Sequence, residues 1–115
     1  MELADIAESI CINPRKLTHY VLDADSPHGK HKAVLFDKLL GFTKKNYTSL
    51  LRQLEGGAMH AEVTFHSEDK FGKRYTADIT VKGMEDRCAV VRTGWIVTSE
   101  NREAYLVTLY VRKRI

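Results

Sequence analysis

The segment spanning residues 26–33, SPHGKHKA, concentrates four side chains that are or can be cationic: His28, Lys30, His31 and Lys32. Turn residues before it and helical apolar spacing after it predict that a helix begins near Lys30 or His31. A helix start disfavours cations by about 0.3–1 kcal/mol, whereas its free backbone N–H groups favour phosphate. Gly29 would let a ligand approach the backbone. The segment indicates either an anion site with His31 as general acid or base, or a solvated basic turn.

An arginine interrupts an apolar strand pattern at Val91-Arg92-Thr93-Gly94-Trp95-Ile96. A guanidinium there is unfavourable unless it is paired. Two interpretations stay open: a structural ion pair, for example with Asp78, or a rigid bidentate contact to phosphate. Gly94 is a candidate bulge that would re-aim Arg92 or Thr93.

The spacing of apolar residues predicts helices first and strands afterwards. A helix follows Asn13-Pro14 and ends near Leu22, the second stops at Gly41, and Thr43 caps a third that ends at Gly56-Gly57. Strands are predicted at residues 61–66, 73–83, 88–98 and 105–112, joined as hairpins. The sequence therefore predicts an α+β fold with three N-terminal helices and a four-stranded antiparallel sheet.

Such a sheet would bury one face under the helices and leave a polar face open. The residues predicted for the open face are Thr64, His66, Arg74, Thr76, Asp78, Thr80, Thr108, Tyr110 and Arg112. Hydroxyl and basic groups outnumber carboxylates in this set. Thr108 would either donate to a phosphate oxygen or contact water.

Composition bounds the protein class. The chain has 115 residues, a 43% apolar share and a net charge of +3, which predicts a single domain over residues 1–115 that meets any polyanion with a local patch. Neither the two cysteines nor the histidines have zinc-ligand spacing, and no apolar run is long enough to cross a membrane. We therefore expect no metal, no cofactor, no membrane contact and a cytoplasmic location.

Several motifs together resemble a known family: PRKLTxYVL at 14–22, SPHGKHKA at 26–33, LGF at 40–42, GxRYTxD at 72–78, VRTGWI at 91–96 and LVT at 106–108. The pattern covers nearly the whole chain. It resembles an uncharacterised bacterial domain family found at the C-terminal ends of polymorphic and contact-dependent toxins, and as free-standing proteins beside a small antidote gene. That family is similar to the barnase, EndoU, colicin and RelE group of ribonucleases, whose members place helices before a four-stranded antiparallel sheet.

The resemblance implies a toxin that cleaves RNA without metal through the 2′-hydroxyl, with tRNA or mRNA as substrate and a small antitoxin or immunity protein as possible partner. The matching motif positions are His31, Lys32, Arg92, Thr93 and Thr108.

We interpret His31 as proton carrier, Lys32 and Arg92 as stabilisers of phosphate charge, and Thr108 as a ligand of phosphate oxygens. The residues expected to bind other parts of the substrate are His28, Lys30, Arg74, Thr76, Thr93 and Tyr110. The alternative is a non-catalytic module, such as an inhibitor, that binds protein or nucleic acid with the same face.

Overall fold

The computed structural model describes residues 1–112. Two α-helices form in it where apolar side chains recur in the sequence at helical spacing. They are α1 (Lys30–Leu40) and α2 (Tyr47–Gly57). Their buried side chains are Ala33, Phe36, Leu40, Leu50 and Leu54. Helix α1 ends at Gly41 because this residue adopts φ 74°, a left-handed conformation that closes the helix with bonds to the carbonyls of residues 36 and 37.

The remaining elements build one five-stranded sheet. The strands are β1 (Ser9–Cys11), β2 (Val63–Asp69), β3 (Gly72–Lys82), β4 (Cys88–Val97) and β5 (Glu103–Val111). They lie in the order β1-β5-β4-β3-β2, and all neighbours are antiparallel except β1 and β5. Residues of β3 alternate between buried and accessible, so its apolar set faces one side only.

The core lies between this apolar sheet face and the helices. Helix α1 contacts β4 and β5, and α2 contacts β3. Trp95 of β4 and Phe36 of α1 are among the largest fully buried side chains. The opposite face of β3, β4 and β5 carries the accessible residues of the alternation, including Asp78, Arg92 and Tyr110. The helices therefore leave a polar sheet face uncovered.

The fold is α+β, but the predicted three N-terminal helices and four-stranded antiparallel sheet of barnase or RelE type are wrong. The sheet is mixed and has a fifth strand, β1, which precedes both α-helices and runs parallel to β5. The segment predicted as the first helix is helical only over residues 15–21, of which Leu17–Val21 are π-helical. A three-residue strand shows no alternation, and parallel pairing leaves no hairpin turn to recognise. Among the described residues, no helix is long and apolar enough to cross a membrane.

Candidate anion-binding site

A lysine ammonium group lies between two hydroxyl groups at the margin of the polar sheet face. Lys32 Nζ donates to Tyr20 Oη at 3.0 Å and to Thr108 Oγ1 at 2.8 Å. The same nitrogen lies 4.8 Å from the ring centroid of Tyr20 and 5.9 Å from that of Tyr110. We call Tyr20, Lys32, Thr108 and Tyr110 the Lys32 cluster. It joins α1, the π-helical stretch and β5.

Close backbone packing brings Tyr20 to Lys32. Leu17 and Val21 are fully buried, which anchors the π-helical stretch in the core and leaves Tyr20 half-buried at its margin. A Cβ at Gly29 would lie 1.9 Å from the Tyr20 carbonyl oxygen, so only glycine allows α1 to begin this close to Tyr20. The predicted role of Gly29 in ligand approach is therefore wrong, because the chain itself occupies that space.

A bulge and a glycine position Thr108. The pairing of β4 with β5 shifts between Gly94 and Trp95, because Gly94 pairs with Thr108 and Trp95 with Leu106, so the extra residue is Val107 of β5 and not the predicted Gly94. Gly94 lies opposite Thr108, and a Cβ there would come within 3.1 Å of Thr108 Cγ2. The missing side chain at Gly94 leaves room for Thr108 on the polar face, where its hydroxyl reaches Lys32.

The Lys32 cluster contains an ammonium group that lowers the pKa of its neighbouring tyrosine. The hydrogen bond from Lys32 lowers the pKa of Tyr20, with burial opposing it and the charge of Lys32 adding to it. An ammonium has three N–H donors, and contacts among residues 1–112 use two of them. Lys32 can thus give its remaining donor to an anion, and the Tyr20 hydroxyl loses its proton more readily than that of a free tyrosine.

A second cationic group lies on the same sheet face. Arg92 Nε and Nη2 donate to the two carboxylate oxygens of Asp78 at 2.8 and 3.1 Å, and Arg112 Nη1 donates to Asp78 Oδ2 at 2.9 Å. We call Asp78, Arg92 and Arg112 the arginine clamp. The bond from Arg92 is the main cause that lowers the pKa of Asp78, and Asp78 in turn raises the pKa of Arg92. The clamp therefore holds two positive charges and one negative charge.

Tyr110 links the clamp to the Lys32 cluster. It is the register partner of Arg92 across β4 and β5, and its hydroxyl contributes, after Asp78, to raising the pKa of Arg92. On its other side, its ring faces Lys32 Nζ. The structure thus brings together four residues predicted from sequence: Lys32, Arg92, Thr108 and Tyr110.

Other predicted site residues lie elsewhere. Thr93 is fully buried, donates to the Ala77 carbonyl at 2.7 Å and accepts from Trp95 Nε1 at 2.7 Å, so it cannot contact a phosphate. Arg74 pairs with Asp69 at 3.0 Å near the turn that joins β2 to β3. The Asp78 pairing bears out the ion-pair interpretation of Arg92, whose side chain is 34% exposed rather than buried in the strand.

The remaining predicted residues flank the cluster. Thr76 of β3 lies near the site, because it pairs with Gly94 of β4, which in turn pairs with Thr108 of β5. His28, Lys30 and His31 are exposed around the start of α1, and the contacts found within residues 1–112 do not link them to the Lys32 cluster.

Sequence reasoning missed Tyr20, which matched the apolar stripe of a predicted helix. It named Arg112 only as part of the polar face. The clamp was indicated by two features: Asp78 is opposite Arg92 in the β3–β4 hairpin, and Arg112 has the same parity as Tyr110 along β5. In residues 1–112, no group of three or more His, Cys, Asp or Glu side chains is arranged to hold a metal ion.

Comparison with known proteins yields one family assignment. Residues 2–113 match the family model described as Domain of unknown function (DUF6883). No curated protein and no solved structure matches the chain.

Proposed function

We propose that this chain, which belongs to the DUF6883 family, is a metal-independent endoribonuclease that acts as a bacterial toxin. The observation that carries the proposal is the Lys32 ammonium, held by the hydroxyls of Tyr20 and Thr108 beside an exposed pair of arginines. RNA cleavage through the 2′-hydroxyl requires a proton acceptor and positive charge near the scissile phosphate. The two clusters supply both kinds of group within one face.

Tyr20 is the proposed proton acceptor. As a phenolate it removes the proton of the 2′-hydroxyl, and the 2′-oxygen then attacks phosphorus. The new bond joins O2′ to phosphorus as the bond from phosphorus to O5′ breaks. The leaving O5′ takes a proton from His31, the exposed residue that precedes Lys32. The products are a 2′,3′-cyclic phosphate and a free 5′-hydroxyl.

Lys32 is the proposed stabiliser of the phosphorane charge. Its ammonium is already oriented by Tyr20 and Thr108, so little reorganisation is needed when charge develops on the phosphate oxygens. Arg92 adds positive potential from the neighbouring strand. Loss of one preorganised donor of this kind typically lowers kcat by about 10²–10³.

The direct test incubates purified protein with total tRNA and mRNA in EDTA and assays for 2′,3′-cyclic phosphate ends. We expect cleavage by wild type and a loss of about 10²-fold or more in Lys32→Ala and Tyr20→Phe. Lys38→Ala, which removes an exposed lysine from the other end of α1, is the matched control and should cleave normally. Intact RNA across all substrates with wild type would refute the nuclease.

Toxicity is tested in cells. Cytoplasmic expression of the wild-type chain should arrest bacterial growth, and Lys32→Ala should restore it at equal protein level. A small antitoxin or immunity protein would then be recognised as a co-expressed product that restores growth without the substitution. Growth arrest that persists in Lys32→Ala would contradict a role for this site in toxicity.

The second candidate is a non-catalytic module that binds nucleic acid or protein through the same face. The arginine clamp favours it, because guanidinium groups fixed by a carboxylate bind phosphate without any proton transfer. If the chain is such a module, it binds RNA tightly and leaves the RNA intact in the cleavage assay.

A further inference from the structure

We propose that the arginine clamp is a separate phosphate subsite, and that the substrate is single-stranded RNA with phosphates on both sides of one base. This inference rests on the proposed function for its substrate, and it deepens that function by assigning Arg92 and Arg112 to the phosphate next to the scissile one. The Lys32 cluster would hold the scissile phosphate.

Unmatched charge is the first support. Asp78 accepts three hydrogen bonds from two guanidinium groups, so among residues 1–112 a single carboxylate balances only one of two positive charges. Two guanidinium groups held on one carboxylate also repel each other, and a further anion relieves that repulsion.

The N–H donors that contacts within residues 1–112 leave over are the second support. A guanidinium has five N–H groups, and Asp78 uses two from Arg92 and one from Arg112. Both side chains reach solvent, with 34% and 48% of their surfaces exposed. Asp78 fixes both groups before a ligand arrives, which lowers the entropic cost of binding.

The position of Tyr110 is the third support. This residue is 39% exposed and lies between Arg92, its register partner, and Lys32 Nζ at 5.9 Å from its ring. Aromatic side chains between cationic groups bind single strands by stacking on a base while the flanking phosphates are neutralised. A paired base in a duplex cannot present its face to Tyr110 in this way.

The binding test uses a non-cleavable 2′-O-methyl trinucleotide with two phosphates and measures affinity at several salt concentrations. Each phosphate contact to a single strand contributes about 0.7 to the slope of log K against log salt. We expect Arg112→Gln to lower that slope by about this amount. Arg52→Gln removes the same charge from exposed Arg52 on α2 and should leave the slope unchanged.

The cleavage test compares a dinucleoside monophosphate with a trinucleotide that adds a second phosphate. We expect the ratio of kcat/KM for the longer over the shorter substrate to fall about tenfold in Arg112→Gln and to be retained in Arg52→Gln. An unchanged ratio with an unchanged salt slope overturns the subsite even if RNA is cleaved. Intact RNA with a reduced slope overturns the nuclease and supports the clamp as a binding site.

A measurement on unsubstituted protein covers the case in which Arg112→Gln does not fold. The Nε–H resonance of Arg92, which reports its bond to Asp78, should shift on addition of the trinucleotide. Absence of a shift at saturating trinucleotide, or absence of binding by wild type, overturns the subsite.

Discussion

Thr93→Val tests whether this threonine is a core residue rather than a phosphate ligand. Its hydroxyl donates to the Ala77 carbonyl and accepts from the Trp95 indole, each at 2.7 Å, and both Thr93 and Trp95 are buried. Valine keeps the branched shape and removes both bonds. The indole N–H is then buried without a partner.

The expected loss of stability follows from these two bonds. An unsatisfied buried donor costs about 1–3 kcal/mol, and the lost bond to Ala77 adds about 1 kcal/mol. A total of about 2–4 kcal/mol is a large part of the about 5–15 kcal/mol that stabilises a typical domain. It corresponds to a fall in Tm of about 8–16 °C at about 4 °C per kcal/mol.

Urea unfolding followed by Trp95 fluorescence provides the measurement. Thr93→Ser is the control, because it keeps the hydroxyl and loses one methyl group at a cost of about 1 kcal/mol. Below its Tm, Thr93→Val should bind the trinucleotide as wild type does. The core assignment is refuted if Thr93→Val is no less stable than Thr93→Ser, or if folded Thr93→Val loses anion affinity.

Three further outcomes follow from the structure. Pairing with Arg92 lowers the pKa of Asp78, so the stability that this carboxylate contributes is complete above its unfolded pKa of about 3.9 and is lost as pH falls through its folded pKa. Urea titrations below pH ~4 should therefore show a steeper loss of unfolding free energy in wild type than in Asp78→Asn. Gly29→Ala should lower the free energy of unfolding by about 1–3 kcal/mol, because the new Cβ clashes with Tyr20. Gly56→Ala, which has open space around it, should raise the free energy of unfolding by about 0.5–1 kcal/mol in the same assay. Ultraviolet titration, with Tyr20→Phe as difference reference, should show the pKa of Tyr20 rising in Lys32→Met; an unchanged value would contradict the hydrogen bond from Lys32.

Local signals in the sequence identified most of the regular elements. Gly41 ends α1 because its positive φ suits glycine, and the strict alternation of β3 defined its two faces. The short strand β1 was not predictable in this way, because its pairing with β5 joins residues 94 positions apart. Only the folded chain shows that contact.

Four of the seven residues in the Lys32 cluster and the arginine clamp were predicted as site residues from residue type. Lys32, Arg92 and Thr108 were singled out as cationic or hydroxyl groups in unusual positions, but the contact between Lys32 and Thr108 spans 76 positions and has no local signal. Thr93 was predicted to share a ligand with Arg92, although adjacent residues in a strand face opposite sides of the sheet. Parity alone would have removed Thr93 from the site.

The long separation between Lys32 and Thr108 has a consequence for the cell that makes this protein. A ribosome that has added residue 32 must add 76 more before the hydroxyl partner of Lys32 exists. At about 5–20 residues per second, this takes about 4–15 s. During that interval the nascent chain lacks Thr108, Tyr110 and Arg112, so neither the Lys32 cluster nor the arginine clamp can assemble.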